Sequence, residues 1–263
     1  MKPVEIFAVP DMPIINPGDD LAVIIVERLK NVPFSLENGD IVVIAQKVVS
    51  KAEGQVVSLA GVSPSDEARE VARATGKDEH LVEVILRESK QILALREDGL
   101  LVTEQRLGFV CANAGVDCSN VGPPGAPGQW ATRLPADPDA SAAGIRDRIR
   151  TLTAKEVAVI INDTHGRAFR EGAVGIAIGV AGLKAVEDKR GQLDLFGYKL
   201  HSTSVAIADE LASAASMVMG QTHEATPVVI IRGQPYQPYK GSARELIRPE
   251  EKDVFRHRAR PAP

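Results

Sequence analysis

Three short runs set the tightest limit on what this chain can fold into: Ile41-Val42-Val43-Ile44-Ala45, Val157-Ala158-Val159-Ile160-Ile161 and Val228-Val229-Ile230-Ile231-Arg232. A strand with one wet face alternates apolar and polar residues, because successive side chains point to opposite sides. The first run is β-branched on both parities, so it suits a strand covered on both faces. The other two read as further core strands.

Helices must cover such strands, and the sequence signals several. Asp19-Asp20 can cap a helix whose Leu21, Ile24, Ile25, Arg28 and Leu29 recur at helical spacing. Residues 64–76 and 78–90 read as helices, with Pro64-Ser65-Asp66-Glu67 as a start and Gly76 as a stop. Further helices are predicted over 139–152 and Ser204–Met219. Val4–Val9 reads as a strand, Gln91–Leu95, Leu100–Thr103 and Leu107–Cys111 as an antiparallel meander, and Gly175–Gly182 as a strand closely approached by other backbone. Five prolines and three glycines within 122–139 predict a loop or lid rather than an element, and Arg244–Pro263 reads as a peripheral tail. Helices and strands follow in mixed order without a βαβα rhythm. The predicted class is therefore α+β, with mixed, largely antiparallel sheets and packed helices.

Across 263 residues, 31 Lys and Arg face 35 Asp and Glu, a net charge of −4. Whole-molecule attraction to nucleic acid or anionic lipid is thereby excluded as a theme, and a polyanionic ligand must be held locally. No apolar run reaches the ~18–20 residues of a membrane span, and the polar start lacks a secretory core, so a cytoplasmic location is expected. Cys111 and Cys118 match neither a CxxC pair nor a zinc framework and are expected as reduced thiols.

The chain has no GxxxxGK[ST] loop and no GxGxxG between a strand and a helix. Three polar segments break out of apolar surroundings as functional loops do: Gln46–Lys51, Gly115–Asn120 and Asn162–Arg167. Asp117, Ser119 and Asn120 crowd oxygen donors onto one turn, while Asp163 and Thr164 follow an apolar strand. Such hard oxygen ligands suit Mg²⁺ or Mn²⁺. Lys47 and Lys51 would place positive charge where a polyphosphate needs it. Each feature alone also fits a plain turn, a helix cap or a solvated face. His165 and His223 lack a second ligand at zinc spacing, and Gly220–Glu224 reads either as a helix C-cap or as a ligand loop. Ser50 and Ser119 lack the GxSxG elbow of a serine hydrolase.

Taken in order, these segments resemble the coenzyme F420-0:L-glutamate ligase family, the γ-glutamyl ligases. The resemblance rests on Ile44–Gly54 (IAQKVVSKAEG), Ala112–Val121 (ANAGVDCSNV), Asn162–Arg167 (NDTHGR), Arg170-Glu171-Gly172, Gly175–Gly179, Asp194–Gly197 (DLFG) and Ala208–Leu211 (ADEL). It implies the F420-0:gamma-glutamyl ligase fold over 1–263, with scope for two intertwined subdomains. Many bacterial relatives continue into a nitroreductase-like domain; this chain stops at 263, so that activity is not expected.

By the same resemblance, Asp117, Asp163, Thr164 and Gln221 surround two divalent cations, Mg²⁺ or Mn²⁺, with K⁺ as a further ion, and Asp117 and Asp163 are the catalytic carboxylates. GTP is held by Met12, Pro13, Ile14, Ile15, Gln46, Lys47, Lys51, Asn120, Met219, Gly220, Gln221, Thr222, His223, Glu224, Ala225 and Thr226. Gln46-Lys47 stands where archaeal members commonly carry Ser-Thr. The implied reaction moves the GTP γ-phosphoryl onto a carboxylate of F420-0, and the amine of L-glutamate then displaces phosphate, with Arg167 or Arg170 steadying an acidic group. A homodimer is implied as well. The competing expectations are a metal-dependent nucleotide phosphohydrolase and a non-catalytic nucleotide- or deazaflavin-binding protein.

Overall fold

A computed structural model describes residues 3–123, 125 and 128–253. The chain forms two compact units, one built from Met1–Gln55 and Leu134–Ala243, the other from Val56–Arg133 and Arg244–Pro263. In chain order the elements are β1 (Glu5–Ala8), α1 (Leu21–Leu29), β2 (Ile41–Ala45), α2 (Gln46–Ala52), β3 (Val56–Ser58), α3 (Asp66–Thr75), α4 (Glu79–Arg87), β4 (Ser89–Leu95), β5 (Leu101–Gln105), β6 (Val110–Ala112), β7 (Trp130–Thr132), α5 (Pro138–Thr153), β8 (Ala158–Arg167), β9 (Arg170–Ala181), β10 (Glu187–Asp188), β11 (Ser204–Val205), α6 (Ile207–Met219) and β12 (Val228–Arg232).

The first unit is organised by a five-stranded sheet in the order β1-β12-β2-β8-β9, antiparallel except where β2 and β8 run parallel. The three apolar runs are its middle. Ile41–Ile44, Val159–Ile161 and Val228–Ile231 are buried throughout, which is why they never needed to alternate. Helix α6 lies across all five strands, and α5 packs on β8, β9 and α1. The close approach expected along the glycine-rich strand is real. A Cβ on Gly175 would fall 2.1 Å from Ser216 Oγ, and one on Gly179 would fall 2.4 Å from the Pro138 carbonyl oxygen.

The second unit carries the β4-β5-β6 meander, the β3-β7 pair and helices α3 and α4. Its core gathers Leu59, Ala68, Val71, Val82, Ile85, Leu101, Ala114, Val116 and Ala131. Capping follows the sequence signals: Ser65 Oγ accepts from Ala68 N–H at 3.2 Å, Asp78 Oδ1 accepts from His80 N–H at 2.9 Å, and Gly76 closes α3 with φ of +73°.

Four expectations are corrected. Gln46–Lys51 is not a loop but most of α2, because β2 passes straight into helix at Ala45. The 122–139 segment is not structureless: β7 lies within it, paired with the short β3, and α5 begins in it at Pro138 behind the Asp137 cap. The polar segment Asn162–Arg167 continues β8 instead of ending it, since β9 pairs along its whole length. Finally, Ser204-Val205 pairs as β11 with β10, so α6 starts only at Ile207. Residues 124, 126 and 127 of the predicted loop and residues 254–263 of the predicted tail lie outside the described residues.

Candidate functional site

Strand direction decides which segments of the first unit meet. Parallel β2 and β8 set Ala45 opposite Asn162; antiparallel β12 sets Val228 opposite Ile44; antiparallel β1 sets Ala8 opposite Val229. The C-terminal ends of β1 and β2, the outer half of β8 and the N-terminal end of β12 therefore share one end of the sheet. Four candidate segments issue there: Met12–Ile15 after β1, Gln46–Lys51 after β2, Asp163-Thr164 on β8, and Met219–Thr226 ahead of β12.

Helix α2 supplies the positive charge. Lys47 and Lys51 are four residues apart and share a helix face. Burial, and next the charge of Lys47, hold the Lys51 ammonium below the usual lysine pKa. A half-buried ammonium beside a like charge is destabilised, and a bound anion would relieve Lys51. Gln46 is different: it is 4% exposed and its Oε1 accepts from Ser50 Oγ at 2.9 Å, so that oxygen is used within the helix. The loop carrying Met12–Ile15 is tied to this helix where Gly18 N–H donates to Ala52 O at 2.8 Å. Within it, Ile15 is buried while Ile14 is 77% exposed.

Oxygen donors stand on the neighbouring strand. Thr164 Oγ1 donates to Gln221 Oε1 at 3.1 Å, joining β8 to the loop after α6. Asn162 ties β8 to α6 itself, its Nδ2 donating to Ser216 Oγ at 3.0 Å and to Met219 Sδ at 3.5 Å. Asp163 Oδ2 lies 2.8 Å from His165 Nε2.

The 220–226 loop is shaped by its own bonds. Gly220 has φ of +69°, a left-handed backbone that favours glycine, and a Cβ there would press on the Glu224 side chain. Glu224 Oε2 accepts from Thr222 N–H at 2.8 Å, which holds its carboxyl below the ordinary range. Thr226 Oγ1 donates to Met219 O at 2.9 Å, and Thr222 Oγ1 lies 3.0 Å from His223 Nδ1. Ala225 takes the left-handed conformation, φ +55°.

The second unit holds Asp117 and Asn120. Asn113, Ala114 and Gly115 run consecutively at positive φ, and Ala114 and Val116 root the turn in the core. Asp117 pairs backbone to backbone with Thr132 at 2.8 and 3.1 Å, and its carboxylate accepts from Ser119 N–H at 2.7 Å and Ser119 Oγ at 3.0 Å. Asn120 follows at φ +53°. An Asx turn of this kind holds the carboxylate in one orientation.

Sequence reasoning passed over His165, the buried neighbour of Asp163. The available signal was positional: residues 163 and 165 alternate along a strand, so their side chains share a face. Arg167 is occupied otherwise, donating to Glu171 O at 3.1 Å across the β8-β9 hairpin tip.

The donor set suits a hard divalent cation only in part. A carboxylate, a hydroxyl and an amide oxygen are the right atoms, yet among the described residues no group of three His, Cys, Asp or Glu stands ready to hold a metal. Such a half-built shell matches Mg²⁺, which binds through one or two carboxylates and completes its shell with water and substrate phosphates.

Compared with known families, residues 11–233 match the F420-0:Gamma-glutamyl ligase family, a span that includes every candidate site residue. The chain belongs to this family. Coenzyme F420:L-glutamate ligase of Methanothermobacter thermautotrophicus is 50% identical over 255 residues, covering 96% of this chain and 99% of the relative. The proteins of that name from Methanocaldococcus jannaschii and Methanosarcina mazei are 51% and 39% identical, over 85% and 96% of this chain and 87% and 95% of their own lengths. Like these relatives, the chain is a γ-glutamyl ligase family enzyme with the mixed, largely antiparallel α+β fold anticipated from its sequence. No helix among the described residues is long and apolar enough to cross a membrane.

Proposed function

We propose that this enzyme joins L-glutamate to coenzyme F420-0, or to a close precursor, at the expense of GTP. A carboxylate does not condense with an amine in water until one oxygen becomes a leaving group. The γ-phosphoryl of GTP moves to the acceptor carboxylate, giving an acyl phosphate and GDP; the glutamate amine then attacks the acyl carbon, an amide forms, and phosphate departs. Both reactants of the first step are anions, so the step needs concentrated positive charge.

Lys47 and Lys51 face the triphosphate in this reading, with Met12–Ile15 and Met219–Thr226 around the nucleotide. Asp163, Thr164 and Gln221 furnish oxygen donors for divalent cations, and the family resemblance assigns Asp117 to cation binding and Asn120 to the nucleotide. The cations, when bound, neutralise phosphate charge. The observation that supports the reading is that the destabilised Lys51, with Lys47 beside it, and Asp163, Thr164 and Gln221 stand on segments at the same end of the sheet.

A homodimer forms part of the same proposal. What supports it is the arm between β10 and β11, whose Leu195 and Phe196 are 99% and 95% exposed, an apolar tip that a second copy would cover. Light scattering on the purified chain tests this, and a monomer removes it.

The activity test is direct. Purified protein is incubated with GTP, Mg²⁺ or Mn²⁺, L-glutamate and each candidate precursor, and products are weighed by mass spectrometry. GDP and a product heavier by one glutamate residue, formed only when acceptor and glutamate are both present, are expected. GDP release with water alone supports a phosphohydrolase, and tight binding without GDP supports a binding protein.

A further inference from the structure

His165 stands two residues beyond Asp163 on β8, on the same face of the strand. Its ring is 6% exposed, with Nε2 2.8 Å from Oδ2 of Asp163. An ionised carboxylate only accepts, so Nε2 carries a hydrogen and donates it. That bond engages Oδ2 and sets the plane of the carboxylate, while Oδ1 makes no bond to any other described residue.

A second acid flanks the imidazole. Asp209 on α6 accepts the Ala177 N–H through Oδ1 at 2.9 Å, which fixes it against β9. Burial raises the Asp209 carboxyl above the usual range, while the Ala177 bond and the charge of His165 draw it back down. The ring thus lies under the influence of one carboxylate rooted in the α6-β9 packing and holds another, that of Asp163, next in sequence to Thr164. Outer-shell histidine and carboxylate pairs of this kind orient ligating atoms, and their loss typically weakens metal binding about 10- to 100-fold.

We infer that His165 is a positioning residue for the divalent-cation site: its Nε2–H holds Oδ2 of Asp163 so that Oδ1 is the atom offered to the cation. The inference rests on the proposed role of Asp163 as a ligand. Holding the carboxylate in one rotamer before the cation arrives removes an ordering cost from binding, so the benefit falls on affinity more than on the chemical step.

Mn²⁺ alone, titrated into the full chain and followed by the electron-spin signal of the free ion, reads affinity without turnover. His165→Leu fills the space without a donor, and His165→Gln restores an N–H. The Leu variant is expected to bind Mn²⁺ about 10- to 100-fold more weakly, with a raised KM for the ion and a smaller change in kcat at saturation, and the Gln variant to recover most of that affinity. A folded Leu variant with wild-type affinity overturns the inference, as does a Gln variant no better than Leu.

Asp163→Ala separates the two levels of argument. If it binds Mn²⁺ like the wild type, the role of Asp163 falls and this inference with it; if it loses binding while His165→Leu does not, only the inference falls. Should the Leu variant not fold, the wild type decides: with ¹⁵N-histidine, the His165 Nε2–H signal is expected to persist and to shift with added Mg²⁺, and a ring indifferent to Mg²⁺ overturns the inference.

Discussion

The sheet of the first unit ends in two charged poles that are built on opposite principles. At the pole where β12 finishes, Arg232 Nε and Nη2 reach Asp40 Oδ1 and Oδ2 at 2.8 and 2.7 Å, Nη1 reaches Glu37 at 2.8 Å, and Nη2 also donates to Ser35 O at 2.7 Å. The guanidinium lies 4.3 Å from the Phe34 ring centroid, and its pairing with Asp40 raises its pKa further. A cleft bordered by Glu5, Glu37, Asn38 and Arg232 opens there, yet its charges already answer one another. At the other pole burial, and next the charge of Lys47, lowers the pKa of Lys51, and Asp163 Oδ1 makes no bond to any other described residue. The first pole sets opposite charges against each other, whereas the second sets two like charges four residues apart on one helix.

The largest expected breaks come at the two proposed catalytic carboxylates, Asp163 at the second pole and Asp117 in the other unit. Asp163→Ala, and likewise Asp117→Ala, should melt close to the wild type yet lose about 10³-fold or more in ligation, the scale of losing a main electrostatic partner of a phosphoryl transfer. Near-normal turnover by either variant removes its assigned role. Asp40→Ala inverts the pattern: it strips a bidentate partner from Arg232 and should cost about 2–4 kcal/mol of unfolding free energy in a urea titration, while activity per folded molecule persists. Equal stability would mean that the matched pole does not hold the sheet end.

Lys51→Met sharpens the contrast further. It should lower kcat/KM for GTP about 10²-fold while leaving the melting temperature unchanged or raised, because a desolvated, like-charge-crowded ammonium opposes folding. A marked drop in melting temperature would place Lys51 among the structural charges instead.

The smallest effect is a pH dependence whose sign follows from the same shift. A lysine pKa lowered by folding means the folded chain sheds this proton first, so the Lys51 contribution to stability improves as pH rises from the folded towards the unfolded pKa. If Lys51 holds GTP as proposed, the charged form is needed, and GTP binding should weaken over that same alkaline range. Lys47→Met should move this alkaline limb of the GTP KM upward; an unmoved limb would show that the two ammonium groups do not sense each other.

How much of this was legible follows residue by residue. Ile41–Ala45 and Val228–Arg232 appeared as strands over the bounds the structure gives them, because short, β-branched, uniformly apolar runs mark strands buried on both faces. Gly76, Ser65 and Asp20 marked helix ends because caps are local hydrogen bonds. Strands β3 and β7 were invisible: three residues show no period, and their pairing joins segments more than seventy residues apart in sequence. The Lys47-Lys51 pair was visible as charge, but its helix was hidden because Val48-Val49 favour strand locally and the preceding run is strand. His165 was seen and set aside for lack of zinc spacing, when its partner was Asp163 two residues away.

By itself the sequence determined the α+β class, the core strands, the capped helices and, through its motif segments, the ligase family. Those properties follow from local pattern: period, cap chemistry and residue order are written in neighbouring positions. Only the tertiary structure decided that the ends of β1, β2, β8 and β12 share one pole, that Gln46 turns its oxygen inward while Lys51 sits half-dry, and that Arg232 closes on Asp40 from 192 residues away. Strand direction and burial are set by which distant segments pair, and a linear chain does not display its pairings until long-range packing chooses them.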